Sequence, residues 1–319
     1  MLFVPAVHVA RDLDAVRRRG DGYRAAGFDG RLLRLRPGVF VSEEEWNRAW
    51  PEGQVVARAR ALSLKSQRNP VFSHETAAAL HGLPLYRPHP NKVHVTLPDS
   101  RPGSAEGTIR HRAALADDES VEVGGVISTS FARTVADIAR TATFAQAVTV
   151  TDAALRRIAV RASHRYDGGK AAQFRSDVTQ IAARSAHGVR RAERVLNFAD
   201  GRAQLPGESV SRIRLAELGF SDIRLQTRVP ALSGSYYVDF AVGIGEHEWL
   251  GEFDGRIKYS EEDMRSGRTV MAVLDEEKQR EDWIRGVTQR PLARWGWRHI
   301  ESAQHLGARL RAFGISVPR

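Results

Sequence analysis

The chain has 319 residues, of which 42% are hydrophobic and 27% are charged, a balance typical of packed domains rather than disordered chains. It contains no cysteine, which excludes disulfides and zinc–thiolate sites, and it lacks an apolar run of the roughly 18 residues needed to span a bilayer. The first residues lack the basic segment and cleavage site of a signal peptide, so we expect a cytoplasmic protein without membrane contacts.

The net charge of +10 is unevenly distributed along the chain. Residues 1–204 contain 31 Lys and Arg against 21 Asp and Glu, whereas residues 205–319 contain 17 of each kind. A basic front part favours a polyanionic partner such as DNA. An arginine-rich composition of the whole protein would produce the same imbalance without any such partner.

Residues 1–55 are predicted to form a small unit resembling a winged helix-turn-helix. Asp12–Arg19 is interpreted as a short helix, and Arg31–Val41 as a β-hairpin with a Pro-Gly turn. Arg34 and Arg36 on this hairpin are candidate DNA contacts. The alternative is a small α/β cap that does not touch DNA.

Residues 56–200 are predicted to form a mixed α/β middle domain that ends in a basic helix. The predicted elements, in chain order, are a helix over Gln54–Gln67, a strand at Val71-Phe72, a helix over Glu75–His81 capped by Ser73, strands at Lys92–Leu97, Thr108–His111 and Val121–Ser128, and helices over Thr129–Arg140, Ala145–Arg157 and Ala171–Phe198. Asp200–Pro206, with glycines close by, is the best candidate linker.

Residues 205–319 are predicted to form a separate domain with the element order αβββαβ, which gives the whole chain an α/β (α+β) class. The predicted elements are a helix over Glu208–Leu218, strands at Ile223–Val229, Tyr236–Val242 and Glu248–Phe253, a helix over Leu274–Val287, a strand at Leu292–Ile300 and a closing helix over Ala303–Phe313.

Three carboxylates converge on one face of the predicted C-terminal sheet. If residues 244–247 form a hairpin loop, Asp239 stands directly opposite Glu252, and strand alternation puts Asp254 on the same face. Acidic residues are poor strand formers and repel one another, so a divalent cation, Mg²⁺ or Mn²⁺, is expected between them, and Glu208 would complete its shell. The alternative is a solvent-exposed face, but the glycines of the G-E-F-D-G run favour close approach of another group.

Four runs stand out in this part of the chain: V-D-F, G-E-F-D-G-R-I-K-Y, E-E-K-Q-R-E-D and W-G-W-R-H-I. They resemble Vsr-like (very-short-patch-repair-like) endonuclease domains of the PD-(D/E)XK superfamily. The core of that superfamily is αβββαβ. The resemblance covers residues 205–319 and implies metal-dependent hydrolysis of DNA. It makes Glu208 the helix acid, Asp239 the metal-binding acid and Glu252 the first residue of the (D/E)XK element.

The (D/E)XK element of this chain has Asp254 where the superfamily has lysine. Lys258 is therefore the candidate catalytic cation, and Lys278 on the following helix is the alternative. Nearby, Arg256 and Arg280 are candidate DNA contacts; a salt-bridged surface is the alternative for Arg280.

Three runs stand out in the front part: L-L-R-L-R-P-G-V-F-V, F-S-H-E-T-A-A-A-L-H-G-L-P-L and R-T-V-A-D-I-A-R. Together they resemble AbiEi-family antitoxins over about residues 30–160. This resemblance implies a DNA-binding repressor with a cognate toxin, and a homodimer is one candidate oligomeric state. The rival to an endonuclease is thus a non-enzymatic regulator with an inactive nuclease domain. His74 and His81 share a helix face, but zinc needs three or more ligands, so both are interpreted as structural. His111, between Arg110 and Arg112, is interpreted as a basic surface residue that contacts phosphate or has no role.

Overall fold

The computed structural model describes residues 2–20, 22–26, 28–67, 69–89, 91–98, 101–105, 107–160, 165–255 and 270–318. By its internal contacts the chain divides into an N-terminal unit, Met1–Ala159 with Asp167–Ala199, and a C-terminal unit, Val160–Tyr166 with Asp200–Arg319. Each unit contains helices and a sheet, which confirms the mixed α+β class. None of the helices in the described ranges combines the length and apolar character that crossing a bilayer requires.

The N-terminal unit begins with a five-stranded antiparallel sheet in the order β1-β5-β4-β3-β2. Its strands are β1 (Val7–Val9), β2 (Asp14–Arg19), β3 (Gly22–Ala26), β4 (Leu32–Arg36) and β5 (Val39–Ser42). The predicted hairpin is confirmed as β4 and β5. The predicted helix over Asp12–Arg19 is wrong, because this segment is an edge strand on which Val16 packs against the Leu32 and Phe40 cluster while the charged side chains face solvent.

The first α-helices among the described residues follow this sheet, as α1 (Glu43–Arg48) and α2 (Pro51–Ser63). Ser42 caps α1 by accepting a hydrogen bond from the Glu45 N–H, and Pro51 occupies the first turn of α2, where no N–H is needed. The winged helix-turn-helix expected for residues 1–55 is therefore wrong in its helical part, since no α-helix precedes the hairpin in the described residues.

A six-stranded mixed sheet forms the centre of the N-terminal unit, in the order β10-β11-β6-β7-β9-β8. Its strands are β6 (Val71–Phe72), β7 (Val93–Thr96), β8 (Gly103–Ala105), β9 (Thr108–His111), β10 (Ser120–Val123) and β11 (Val126–Thr129), with α3 (His74–Leu80) following β6. The predicted single strand over Val121–Ser128 is a hairpin instead, because Gly124 and Gly125 adopt φ of 58° and 84° and form a turn.

Four helices complete the N-terminal unit: α4 (Phe131–Thr141), α5 (Phe144–Ala159), α6 (Gly168–Ala183) and α7 (Val189–Phe198). The predicted continuous helix over Ala171–Phe198 is wrong, because α6 and α7 are separate. Gly188, at φ 81°, stands between them and packs against the carbonyl of Arg140, where a side chain would collide.

The C-terminal unit has the predicted order αβββαβ, followed by a last helix. Its elements are α8 (Pro206–Glu217), β12 (Ile223–Pro230), β13 (Ser235–Val242), β14 (Trp249–Phe253), α9 (Val270–Thr288), β15 (Leu292–Trp295) and α10 (Ala303–Ala312). The sheet order is β12-β13-β14-β15, with β15 parallel to β14. The predicted strand over Leu292–Ile300 is too long, because a 3₁₀ turn begins at Trp297.

The predicted register of the central hairpin is confirmed. Val242 pairs with Trp249, Ala241 with Leu250, and Phe240 with Gly251. Continued by one step, this register sets Asp239 opposite Glu252. Both side chains thereby lie on the same face of the sheet as the Ala241–Leu250 pair, which packs against Ile284 of α9.

Candidate functional site

Asp239 is a partly buried acid at the centre of the C-terminal sheet. Its Oδ2 accepts a hydrogen bond from the backbone N–H of Phe253 at 2.9 Å, and its Oδ1 accepts one from the Gln226 amide at 3.2 Å. Burial raises the pKa of Asp239 to about 6; the charge of Glu252 adds to this effect, while the two hydrogen bonds and Arg280 oppose it. Bringing a divalent cation next to this carboxylate would favour its charged form.

Glu252 is buried and is held by two arginines. Arg280 on α9 donates to Oε1 at 2.7 Å, and Arg294, its cross-strand partner on β15, donates to Oε2 at 2.7 Å. Burial alone lowers the pKa of both guanidinium groups, but the charge of Glu252 and of nearby acids outweighs it and raises the pKa overall. The charge of Glu252 is thus balanced by cations of the chain itself.

Glu208 is joined to Asp239 through one intervening side chain. Glu208 is 2% exposed, and its Oε2 accepts hydrogen bonds from the Gln204 N–H at 2.9 Å and from the Gln226 amide at 3.2 Å. The same amide group of Gln226 donates to Asp239 at 3.2 Å. Gln226 adopts φ 51° inside a strand, a strained conformation of the kind that concentrates at functional sites.

The other predicted residues of this site have different outcomes. Asp254 lies one residue beyond β14, and its N–H donates to the carbonyl of Trp295 at 2.7 Å. Among the described residues, the predicted carboxylates do not form a group of three whose ligand atoms all lie within 4.8 Å of one another. Lys258 and Arg256 lie outside the described residues, and Lys278 is exposed on α9. Arg280, a candidate DNA contact, forms an ion pair with Glu252 in the structure.

The glycines of the G-E-F-D-G run have an explanation within the fold. A side chain at Gly251 would collide with the Trp295 ring, and the Cβ of an alanine at Gly255 would touch the Phe253 ring. Trp295 is 1% exposed and donates to Ser211 Oγ at 2.8 Å. The group that approaches this strand closely is therefore a tryptophan of the core. Trp297 is 37% exposed at the start of the 3₁₀ turn.

A basic and aromatic cavity of about 420 Å³ opens on the N-terminal unit. It is lined by Arg18, Tyr23, Leu33, Arg34, Leu35, Trp46 and Arg58. The guanidinium of Arg58 lies 4.8 Å from the Trp46 ring centre, and that of Arg34 lies 5.5 Å from the Tyr23 ring centre. Arg34 is thus placed in a cationic cavity, whereas Arg36 donates to Thr108 Oγ1 at 2.9 Å.

Three histidines of the N-terminal unit lie together in the structure. The sequence pattern draws attention only to His74 and His111, and does not link them. The ligand atoms of His74, His94 and His111 all lie within 4.8 Å of one another. The interpretation of His111 as a surface residue is wrong, because it is partly buried and stacked on His74. The alternation of K-V-H-V-T-L marks His94 as a strand residue but does not reveal its neighbours.

Comparison of the chain with protein-family models, curated proteins and solved structures found no match. What the acidic site, the basic cavity and the histidine group do must therefore be inferred from their own residues.

Proposed function

We propose that this protein is a DNA-binding protein whose C-terminal unit hydrolyses phosphodiester bonds in DNA with the help of Mg²⁺ or Mn²⁺. The observation that carries the proposal is the pair of acids that the register of β13 and β14 sets opposite each other, the partly buried Asp239 and the buried Glu252. Two carboxylates placed side by side repel each other, and a divalent cation between them would favour both in their charged form.

The donor atoms suit Mg²⁺ in kind and in number. Mg²⁺ prefers carboxylate oxygens, and proteins commonly hold it with one or two carboxylates while waters and substrate phosphates fill the other positions. Asp239 and Glu252 would hold the ion, and Glu208 would act through Gln226 to keep Asp239 in place. When bound, the ion supplies an activated water and charge stabilisation for the phosphate.

The arginines would then take the part that lysine has in the (D/E)XK pattern. Arg280 and Arg294 already lie against Glu252 and stay protonated at neutral pH. Their planar guanidinium groups match the geometry of a phosphate, so both arginines would also suit contact with the substrate beside Glu252. Lys258 remains a candidate for the same role.

In this proposal, DNA is held by the basic N-terminal unit. Its cavity combines three arginines with Tyr23 and Trp46, a composition that suits phosphates and unstacked bases. The location would be the cytoplasm, and a cognate toxin would be a further partner if the likeness to antitoxins extends to function.

The test is incubation of the purified chain with labelled duplex, mismatched and branched DNA in Mg²⁺, Mn²⁺ or EDTA. Asp239→Asn and Glu252→Gln should each abolish cleavage. Glu248→Gln, a matched change beside the same strand where Glu248 pairs with Arg224 outside the site, should not. Cleavage that persists in both site variants would overturn the assignment.

A second candidate is a DNA-binding regulator without catalysis. It is favoured by one observation: both carboxylate oxygens of Glu252 already accept from an arginine, so the acid is neutralised without a metal. The two candidates differ in metal binding. Calorimetry that detects no Mn²⁺ binding to the wild-type chain, together with DNA binding that is unchanged by EDTA, would support the regulator.

A further inference from the structure

Three neighbouring segments of the six-stranded sheet each contribute one histidine to the group in the N-terminal unit. His74 begins α3 two residues after the end of β6, His94 lies on β7, and His111 ends β9. The sheet order places β6, β7 and β9 side by side. Residues 20 and 37 positions apart from His74 are thereby brought to one place by topology rather than by local sequence.

The imidazole nitrogens already lie close to the spacing that a metal ion requires. Nδ1 of His94 and Nε2 of His111 are 2.9 Å apart, and all three ligand atoms lie within 4.8 Å of one another. A tetrahedral ion with Zn–N bonds of about 2.0–2.1 Å needs donor atoms about 3.3 Å apart. Rotation of the side chains is needed to bring the three nitrogens to that distance, because the His74 and His111 rings stack with an angle of 15° between their planes.

The three rings lie in a desolvated environment. Burial lowers the pKa of each histidine, to about 3 for His94 and well below its ordinary value for His74, and the neighbouring rings lower the pKa of His74 and His94 further. The nitrogen pair of His94 and His111 can form only one hydrogen bond, whereas a metal would use both lone pairs.

The surroundings of the group carry two marks of a built site. His74 adopts φ 52°, a left-handed conformation that is unfavourable for a non-glycine residue, and its Nδ1 lies 3.0 Å from Ser73 Oγ, which leaves Nε2 for a ligand. Thr96 pairs with His111 in the sheet and is 1% exposed, yet its hydroxyl has no hydrogen-bond partner among the residues that the structure describes. A buried hydroxyl without a partner is unfavourable, and a water on a metal would satisfy it.

We propose that His74, His94 and His111 bind a single Zn²⁺ ion, with water in the fourth position. Three neutral imidazoles form a nitrogen-only donor set, which suits Zn²⁺ and excludes Mg²⁺ and Ca²⁺, since these ions prefer oxygen. The site is distinct from the carboxylate site of the C-terminal unit and differs from it in metal preference. It does not depend on the proposed nuclease function.

The test uses the full-length chain without an affinity tag, dialysed in buffer without chelator. We expect about one zinc per chain by elemental analysis, and a tetrahedral visible spectrum when Co²⁺ replaces zinc. His94→Asn and His111→Asn should each weaken Zn²⁺ binding by about 100-fold or more, since even residues that only support a ligand contribute 10–100-fold. His81→Asn is the matched control, because His81 is also a partly buried histidine of this unit but bonds the Thr129 carbonyl.

Thermal unfolding separates loss of the ion from loss of the fold. Excess Zn²⁺ should raise the Tm of the wild type and of His81→Asn, and leave the Tm of His111→Asn unchanged. If His94→Asn fails to fold, the less buried His111 decides the result. A wild-type chain that contains no zinc and gives no Co²⁺ spectrum would overturn the proposal, as would equal Zn²⁺ affinity in His111→Asn and His81→Asn.

Discussion

Arg280 donates a hydrogen bond to Oε1 of Glu252 at 2.7 Å. One of the two acids proposed to bind metal is therefore already paired with a cation of the chain. Arg280 also donates to the carbonyl of Tyr237 at 2.7 Å and to Glu277 at 3.2 Å. These bonds hold its side chain, which comes from α9, against the sheet. Under the proposed function, metal and arginine would therefore compete for the same carboxylate. This competition makes the role of Glu252 open to measurement.

The first prediction concerns Arg280→Met. Loss of one counter-charge should lower the free energy of unfolding by about 1–3 kcal/mol, less than for a fully buried pair because Arg280 is partly exposed. The affinity for Mn²⁺ should rise, because Oε1 is released. Urea unfolding in EDTA and calorimetry with Mn²⁺ measure the two effects.

Arg285→Met on the same helix is the control, since Arg285 forms an exposed pair with Glu281. Its effect on stability should stay below about 1 kcal/mol, and its Mn²⁺ affinity should equal that of the wild type. An unchanged Mn²⁺ affinity in Arg280→Met would contradict the competition and favour the regulator.

The second prediction is a pH dependence caused by Asp239. Its pKa is about 6 in the folded chain against an ordinary value of 3.8, so the folded state prefers the protonated acid. The stability associated with this proton is fully present below pH 3.8 and is lost as the pH rises to about 6. The change amounts to about 3 kcal/mol at 1.4 kcal/mol per pKa unit.

The measurement is urea unfolding of the wild type and Asp239→Asn in EDTA between pH 4 and 7. The stability of the wild type relative to the variant should decline across this range. Parallel curves for the two proteins would show that the pKa of Asp239 is not raised in the folded state.

Much of the C-terminal unit could be predicted because its signals are local. The order αβββαβ follows from short apolar runs between glycines, and the register of Asp239 against Glu252 follows from the length of one hairpin loop. Arg294 and Gln226 could not be found in this way. Arg294 reaches Glu252 through the parallel pairing of β14 and β15, and the register of such a pair across a long connection leaves no local trace.

The N-terminal unit shows the same limit more strongly. The helix expected over Asp12–Arg19 rested on a few residues of weak periodicity, and pairing with β3 determined the structure instead. The histidine group depends on the order of three strands that are far apart in sequence. His74 and His81, which share a helix face in the sequence pattern, have different partners in the structure.

The third prediction concerns Gly251, which packs against the Trp295 ring. Gly251→Ala should lower the free energy of unfolding by about 1–3 kcal/mol or more, because the ring is buried and cannot move away. Gly286→Ala on α9 is the control; its site is open, and alanine favours helix by about 1 kcal/mol, so this variant should be more stable. Equal stability of Gly251→Ala and wild type would show that the contact does not require glycine.

The fourth prediction concerns a buried ionic network of the N-terminal unit. Arg133 donates to both oxygens of Asp137 at 3.0 and 3.1 Å and to Glu119 at 2.6 Å. Arg133→Met leaves two buried acids short of a cation and should lower the free energy of unfolding by about 3–5 kcal/mol.

Arg184→Met is the matched control for this network. Arg184 binds the other oxygen of Glu119 at 3.1 Å, but its side chain is 59% exposed, so water compensates for its loss. Denaturant unfolding of both variants measures the difference. Comparable losses in the two would contradict the view that burial, rather than pairing alone, determines the contribution of Arg133.

The last prediction tests the basic cavity. Arg34 and Arg58 lie against aromatic rings there, while Arg190 lies exposed on α7, which packs against α4, α5 and α6. If the cavity binds the DNA backbone, Arg34→Ala should weaken DNA binding and reduce the slope of log affinity against log salt by about 1. Arg190→Ala removes the same charge from the chain and should leave that slope unchanged.

Fluorescence anisotropy with single- and double-stranded DNA at several salt concentrations measures the salt dependence of both variants. Equal slopes in the two variants would mean that overall charge, rather than this cavity, attracts DNA, and a preference for single strands would point to stacking on Tyr23 and Trp46.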